Sequence, residues 1–184
     1  MSSYSTLADK IKSFQQSGGP ATLFKAVALA GFSNCGKTEL ICKLLSLAGE
    51  RGFRVAAVKH SHKILEVDQP GKDTWRFRQA GAQTVALAAP GLLQVTHSPA
   101  GDLPAEAVLA ALPHDADFVL VEGFKHGPWP KMIFVPAGLS GADLPSFPNI
   151  IAYISEHPLT TDLPVFSRDQ VPEILDFILQ WLEI

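Results

Sequence analysis

The sequence predicts a three-layer α/β domain, with helices on both sides of a mostly parallel central sheet. Three observations carry that expectation. Short apolar runs of strand length alternate with segments of helical periodicity. The first run, a helix and a second run all fit within residues 24–60, a βαβ unit, and a crossover of this kind pairs its strands in parallel. The segment "ADFVLVEGF" (116–124) carries a continuous apolar run ending in an acid, as expected of a central strand covered on both faces.

Taken in order, "LFKAVALA" (23–30) is the first strand and "KTELICKLLSLAGERG" the first helix. Leu40, Ile41, Leu44, Leu45 and Ala48 share one face of that helix, and Gly52 is placed to end it. "FRVAAVKH" (53–60) is the second strand. After the turn at Pro70 and Gly71, "KDTWRFRQAG" reads as a helix with Asp73 as its N-cap. "QTVALAAP" (83–90) and "LLQVTH" (92–97) read as adjacent strands turned at Pro90 and Gly91. A short helix over 103–113 and a strand over 116–124 follow. "KMIFVPA" and "NIIAYIS" are two further strands, and "VPEILDFILQWLEI" is a closing amphipathic helix.

A chain of 184 residues, 47% hydrophobic and 18% charged, is long enough to bury one core. Residues 1–22 are polar and read as an N-terminal extension, with 23–184 as a single domain. The formal charge of −3 leaves no basic excess to neutralise phosphates or an anionic membrane, so no nucleic-acid and no membrane partner is expected. Cys35 and Cys42 make neither a disulfide framework nor a CxxC metal pair. No apolar stretch is long enough to span a bilayer, and no basic-then-apolar leader opens the chain. A cytoplasmic setting is expected.

The chemistry concentrates in "GFSNCGKT", residues 31–38, which match G-x-x-x-x-G-K-[ST] completely between an apolar strand and a helix. Glycines adopt backbone angles closed to other residues and let main-chain amides approach an anion closely. Those amides and the helix N-terminus form a positive concavity suited to phosphates. The fold is therefore expected to be of the P-loop NTPase type. Gly31, Ser33, Asn34, Cys35, Gly36, Lys37, Thr38 and Glu39 are the expected nucleotide contacts. Lys37 is a point charge for the outer phosphates, and the Thr38 hydroxyl is a ligand for Mg2+. Cys35 is read as a small filler in the loop. Glu122, ending "DFVLVE", stands where a Walker B acid holds magnesium and its water shell, so Lys37 and Glu122 are the expected catalytic pair. Asp117 is expected to set the entrance of that strand.

Four blocks in this order, "AGFSNCGKTELICKLL", "GFRVAAVKHSHK", "DQPGKDTWRFRQAGA" and "VLVEGFKHGPWPK", resemble the molybdopterin-guanine dinucleotide biosynthesis adaptor proteins, the MobB family. The resemblance covers roughly residues 24–184. It implies a homodimer that binds GTP with weak hydrolysis and assists a MobA-type molybdopterin guanylyltransferase. It also draws in further residues. Lys59 and His60 end the second strand, where open α/β sheets bind ligands; a satisfied structural role for His60 is the alternative. Asp68, Gly71, Lys72 and Asp73 put two acids and a base on a tight turn, suited to magnesium or phosphate, with Asp68 the metal ligand; a solvated turn is the alternative. Arg76 is preferred over Arg78 as a phosphate fork, and Lys125 is placed to meet an anion. His60 and His62 form an H-x-H pair with no third ligand, so no zinc site is expected.

The chain departs from its relatives in two places. Pro136 stands where they often carry an arginine. Phe32 occupies the second loop position, where related dimeric ATPases place a lysine, so slow hydrolysis is expected. No NKxD motif reads guanine; Asp162 is a base-reading carboxylate or a surface-loop residue. A stand-alone small-molecule kinase is the competing function, disfavoured because Arg51, Arg54, Arg76, Arg78 and Arg168 are too scattered for an arginine-rich lid. A degenerate nucleotide-binding module is the third.

Overall fold

The computed structural model describes residues 25–184 apart from 64, 113–114 and 140. The expected extension at 1–22 and the first residues of the first strand lie outside the described residues. The described chain divides into two compact units, one formed by Ser61–Pro104 and the other by the remainder.

The larger unit contains β1 (Ala26–Gly31), α1 (Lys37–Glu50), β2 (Val55–Lys59), α3 (Ala105–Ala110), β5 (Phe118–Glu122), β6 (Lys131–Phe134), β7 (Ile150–Ile154), β8 (Val165–Phe166) and α4 (Val171–Leu182). Its six strands lie in the order β2-β5-β1-β6-β7-β8, and every neighbouring pair is parallel. The alternation of side chains across a strand decides what each face buries. Val27 and Leu29 of β1 and Phe118 and Leu120 of β5 point to the face covered by α1 and α4. Ala26, Ala28, Val119 and Val121 point to the opposite face, where Ala105 and Leu109 of α3 and Trp129 cover them. Helices thus lie on both sides of a parallel sheet, as expected. In α4, Ile174, Leu175, Ile178 and Trp181 are buried at helical spacing, and Pro172 in the first turn needs no hydrogen-bond partner for its nitrogen.

Some boundaries differ from the sequence expectation for identifiable reasons. β6 stops at Phe134: Val135 still donates to Ile154, but Pro136 has no N–H to extend the ladder. The helix expected over 103–113 is confined to Ala105–Ala110. The two-residue β8 gave no pattern to read. It follows Pro164 at the sheet edge, a position that tolerates proline.

Lys131 opens β6 and is completely buried. Its Nζ donates to the carbonyls of Gly127 at 2.6 Å, Trp129 at 2.8 Å and Pro148 at 2.9 Å. Three acceptors match the three N–H bonds of an ammonium group. Burial pushes this lysine down to about 8, which still leaves it charged at neutral pH. It ties the chain that follows β5 to the loop before β7.

In the unit Ser61–Pro104, α2 (Asp73–Gln79) precedes a two-stranded antiparallel sheet of β3 (Thr84–Ala89) and β4 (Leu92–His97). The turn at Pro90 and Gly91 falls where the sequence placed it. Asp73 is not the N-cap: Lys72 holds that position in an extended conformation, and no side chain caps the helix. Asp73 lies instead in the first turn, where its charge complements the helix dipole.

Candidate nucleotide site

The loop between β1 and α1 has the backbone that its glycines allow. Gly31 has φ +134°, Asn34 +58° and Gly36 +89°. A methyl group on Gly31 would lie 2.7 Å from the Phe134 carbonyl oxygen, so only glycine lets β1 pass β6 at this point. Gly36 is the N-cap of α1 and has no side chain to occupy the helix's free N–H groups, which are left to an external acceptor. The Lys37 ammonium arches back over the loop, donates to the Phe32 carbonyl oxygen and lies 3.4 Å from Cys35 Sγ. Cys35 Sγ itself contacts the Phe32 carbonyl oxygen at 2.9 Å, within the loop as expected of a filler.

Strand alternation brings the acid to this loop. Glu122 continues the parity of Phe118 and Leu120, so it emerges on the face that α1 covers. There Thr38 Oγ1 donates to Glu122 Oε2 at 2.7 Å. Lys59 is the register partner of Glu122 on β2 and approaches its other oxygen at 3.0 Å. Burial works to raise the Glu122 carboxyl, but the hydrogen bonds from Thr38 and Lys59 and the charges of Lys59 and Lys37 outweigh it. The group sits below the usual carboxylate range. The site thus holds an ionised acid, a hydroxyl and two cations beside the glycine-containing loop and the start of α1.

Other expected residues of this unit are placed differently. His60 stacks on Phe124 with ring centroids 4.0 Å apart, and its N–H donates to the Glu122 carbonyl oxygen, a structural setting beside the acid. Lys125 lies over the Phe147 ring at 5.8 Å. Asp117 accepts from the Arg54 backbone N–H at 2.7 Å and so joins the starts of β2 and β5. In the Ser61–Pro104 unit, Gly71 has φ +86° in the turn that leads to Lys72 and Asp73. Asp68 is buried there and accepts from Arg78 at 3.1 Å and Thr74 at 3.4 Å, which anchors the loop to α2. Of the two arginines, Arg78 is the one that meets a carboxylate among the described residues.

Two residues beside the loop escaped the sequence reading. Arg168, after β8, lies close enough to Gly36 that a methyl group there would be 3.0 Å from its Nη1. Glu156, after β7, holds Arg168 by its backbone N–H at 3.0 Å and its Nε at 2.9 Å. The available signal was a charged residue just beyond each of two strands, one of them too short to recognise. Among the described residues no cluster of three or more His, Cys, Asp or Glu is placed to hold a metal by itself, and no helix is long and apolar enough to cross a membrane.

Residues 26–156 match the family model described as molybdopterin guanine dinucleotide synthesis protein B. The chain is 35% identical over 161 residues to the molybdopterin-guanine dinucleotide biosynthesis adapter protein of Haemophilus influenzae, covering 85% of this chain and 88% of that one. It is 32% identical over 167 residues to its Escherichia coli counterpart, covering 88% and 95%. The fold superimposes on a crystal structure of Bacillus subtilis MobB with a TM-score of 0.70 at 31% identity, over 86% of this chain and 98% of that one.

Proposed function

The chain belongs to the MobB family of molybdopterin-guanine dinucleotide biosynthesis adapter proteins, and on that premise we propose that it serves the guanylyltransferase step as a GTP-binding, slowly hydrolysing partner. The observation that carries the proposal is the meeting of Thr38, Glu122 and Lys59 beside the loop Gly31–Thr38.

The loop amides and the start of α1 take the β- and γ-phosphates, and Lys37 swings from the Phe32 carbonyl to the outer phosphate oxygens. The Thr38 hydroxyl and the ionised Glu122 carboxylate are adjacent hard oxygen donors, a set that fits Mg2+ carried in with the triphosphate. The metal supplies charge neutralisation on the phosphates. Lys59 keeps Glu122 ionised and aimed at Thr38. No lysine stands at the second loop position, where Phe32 is half exposed, so hydrolysis proceeds slowly without a partner.

A cytoplasmic homodimer fits this role. Leu93 and Val95 are exposed on one face of the β3–β4 ribbon, and a second copy of the chain would cover an apolar face of this kind.

Calorimetric titration with GTP and ATP, with and without magnesium, tests nucleotide, metal and base together. Single-turnover hydrolysis with and without the guanylyltransferase tests the adapter role. Magnesium-dependent GTP binding and a turnover that changes only with the partner support it. Fast, partner-independent phosphoryl transfer to a metabolite would replace it with a kinase.

A further inference from the structure

The phosphate loop motif contains one cation, Lys37, yet the fold brings a second to the same loop from the far end of the chain. We propose that Arg168, aimed by Glu156, binds the nucleotide on its α-phosphate and ribose side. The inference rests on nucleotide binding at Gly31–Thr38 and assigns that site its other flank.

Sheet order sets the side. β5 and β2 lie to one side of β1 and deliver Glu122 and Lys59, which mark the metal and the γ-phosphate. β6, β7 and β8 lie to the other, and Glu156 and Arg168 follow β7 and β8. A phosphate chain threaded through the loop therefore has its terminal end at Glu122 and its nucleoside end towards Arg168.

The guanidinium is built to wait there. Its Nη1 would be 3.0 Å, and its Cδ 3.3 Å, from a methyl group at Gly36, so the glycine makes room for it. Its hydrogen bonds to Glu156 use the main-chain N–H and Nε, which leaves the Nη donors uncommitted among the described residues. The side chain is about half exposed (46%), open to a ligand and tethered at Nε by Glu156. The two hydrogen bonds and the charge of Arg168 keep the Glu156 carboxylate below its usual range, so the tether persists at neutral pH. A planar fork of this kind binds phosphate oxygens in pairs and stacks on flat rings.

Calorimetry with GTP and with GDP, both with magnesium, tests the assignment. GDP keeps the α-phosphate and ribose but lacks the γ-phosphate. Arg168→Ala is expected to weaken both nucleotides by the same factor, roughly tenfold for one half-exposed charge-assisted contact. Arg168→Lys recovers only part of it. The double variant Arg168→Ala/Glu156→Ala must keep the loss, because it also removes the carboxylate that the single variant leaves facing the phosphates. Unchanged affinity, a loss confined to GTP, or wild-type affinity in the double variant would overturn the assignment while leaving the nucleotide site standing. Wild-type protein that binds neither nucleotide would remove the site itself.

Discussion

Thr38 and Glu122 are 84 residues apart in sequence, and the hydroxyl of one donates to the carboxylate of the other at 2.7 Å. The contact joins the first turn of α1, and the loop before it, to the end of β5. Thr38→Ala removes the hydroxyl proposed to ligate magnesium while leaving the loop backbone intact. It should weaken GTP binding about tenfold in magnesium and leave the metal-free affinity unchanged. Calorimetry in magnesium and in chelator checks this; an equal loss in both would argue that Thr38 acts only on the loop's shape.

Lys37→Ala tests the loop directly. The ammonium's contacts are to Phe32 and Cys35 of its own loop, so the fold should lose no more than about 0.5 kcal/mol. Triphosphate affinity should fall by roughly a hundredfold or more. A variant that melts normally and binds GTP as well as the wild type would contradict the site.

The two loop glycines should respond differently to alanine. At Gly31 a methyl group meets main chain, the Phe134 carbonyl oxygen at 2.7 Å, and the φ of +134° is closed to alanine. Gly31→Ala should cost about 2 kcal/mol or more in urea unfolding. At Gly36 the methyl meets the flexible Arg168 side chain, so the cost reduces to the backbone angle, about 1–2 kcal/mol. Gly36→Ala should still impair binding, by pushing Arg168 aside.

Lys131→Met should destabilise the larger unit by about 2–4 kcal/mol, because three carbonyls, one of them on the buried Trp129, lose a charged donor. The pH dependence has a definite sign. The folded value of about 8 lies below the ordinary 10.5, so between those values the unfolded chain holds more protons than the folded one. Unfolding free energy should therefore rise with pH across that window in the wild type, relative to Lys131→Met. Urea titrations of both proteins at pH 7.5 and about pH 9.5 check it; a difference between them that is independent of pH would refute it.

The loop between β1 and α1 was legible because its motif is contiguous: one strand end, two glycines, a lysine and a threonine within residues 31–38. Glu122 was legible at one remove, since an acid that ends a wholly apolar strand has few reasons to be there. Lys131 and the Glu156–Arg168 pair were not. A lysine at the start of an apolar strand looks like a solvated end, and its three carbonyl partners lie in loops that leave no pattern. Arg168 counted among scattered arginines because a two-residue strand gives no period to recognise. Asp73 looked like a helix cap, yet backbone geometry gave that position to Lys72.

Local order in the chain was enough to read alternating strands and helices, the glycine-lysine-threonine turn between β1 and α1 and the acid that ends β5, since each depends on neighbours a few residues away. Which side of β1 each remaining strand took, and so which charges flank the loop, was settled by the packing of a sheet ordered 2-5-1-6-7-8. That order depends on burying apolar faces against helices distant in sequence, and no short stretch of residues encodes it.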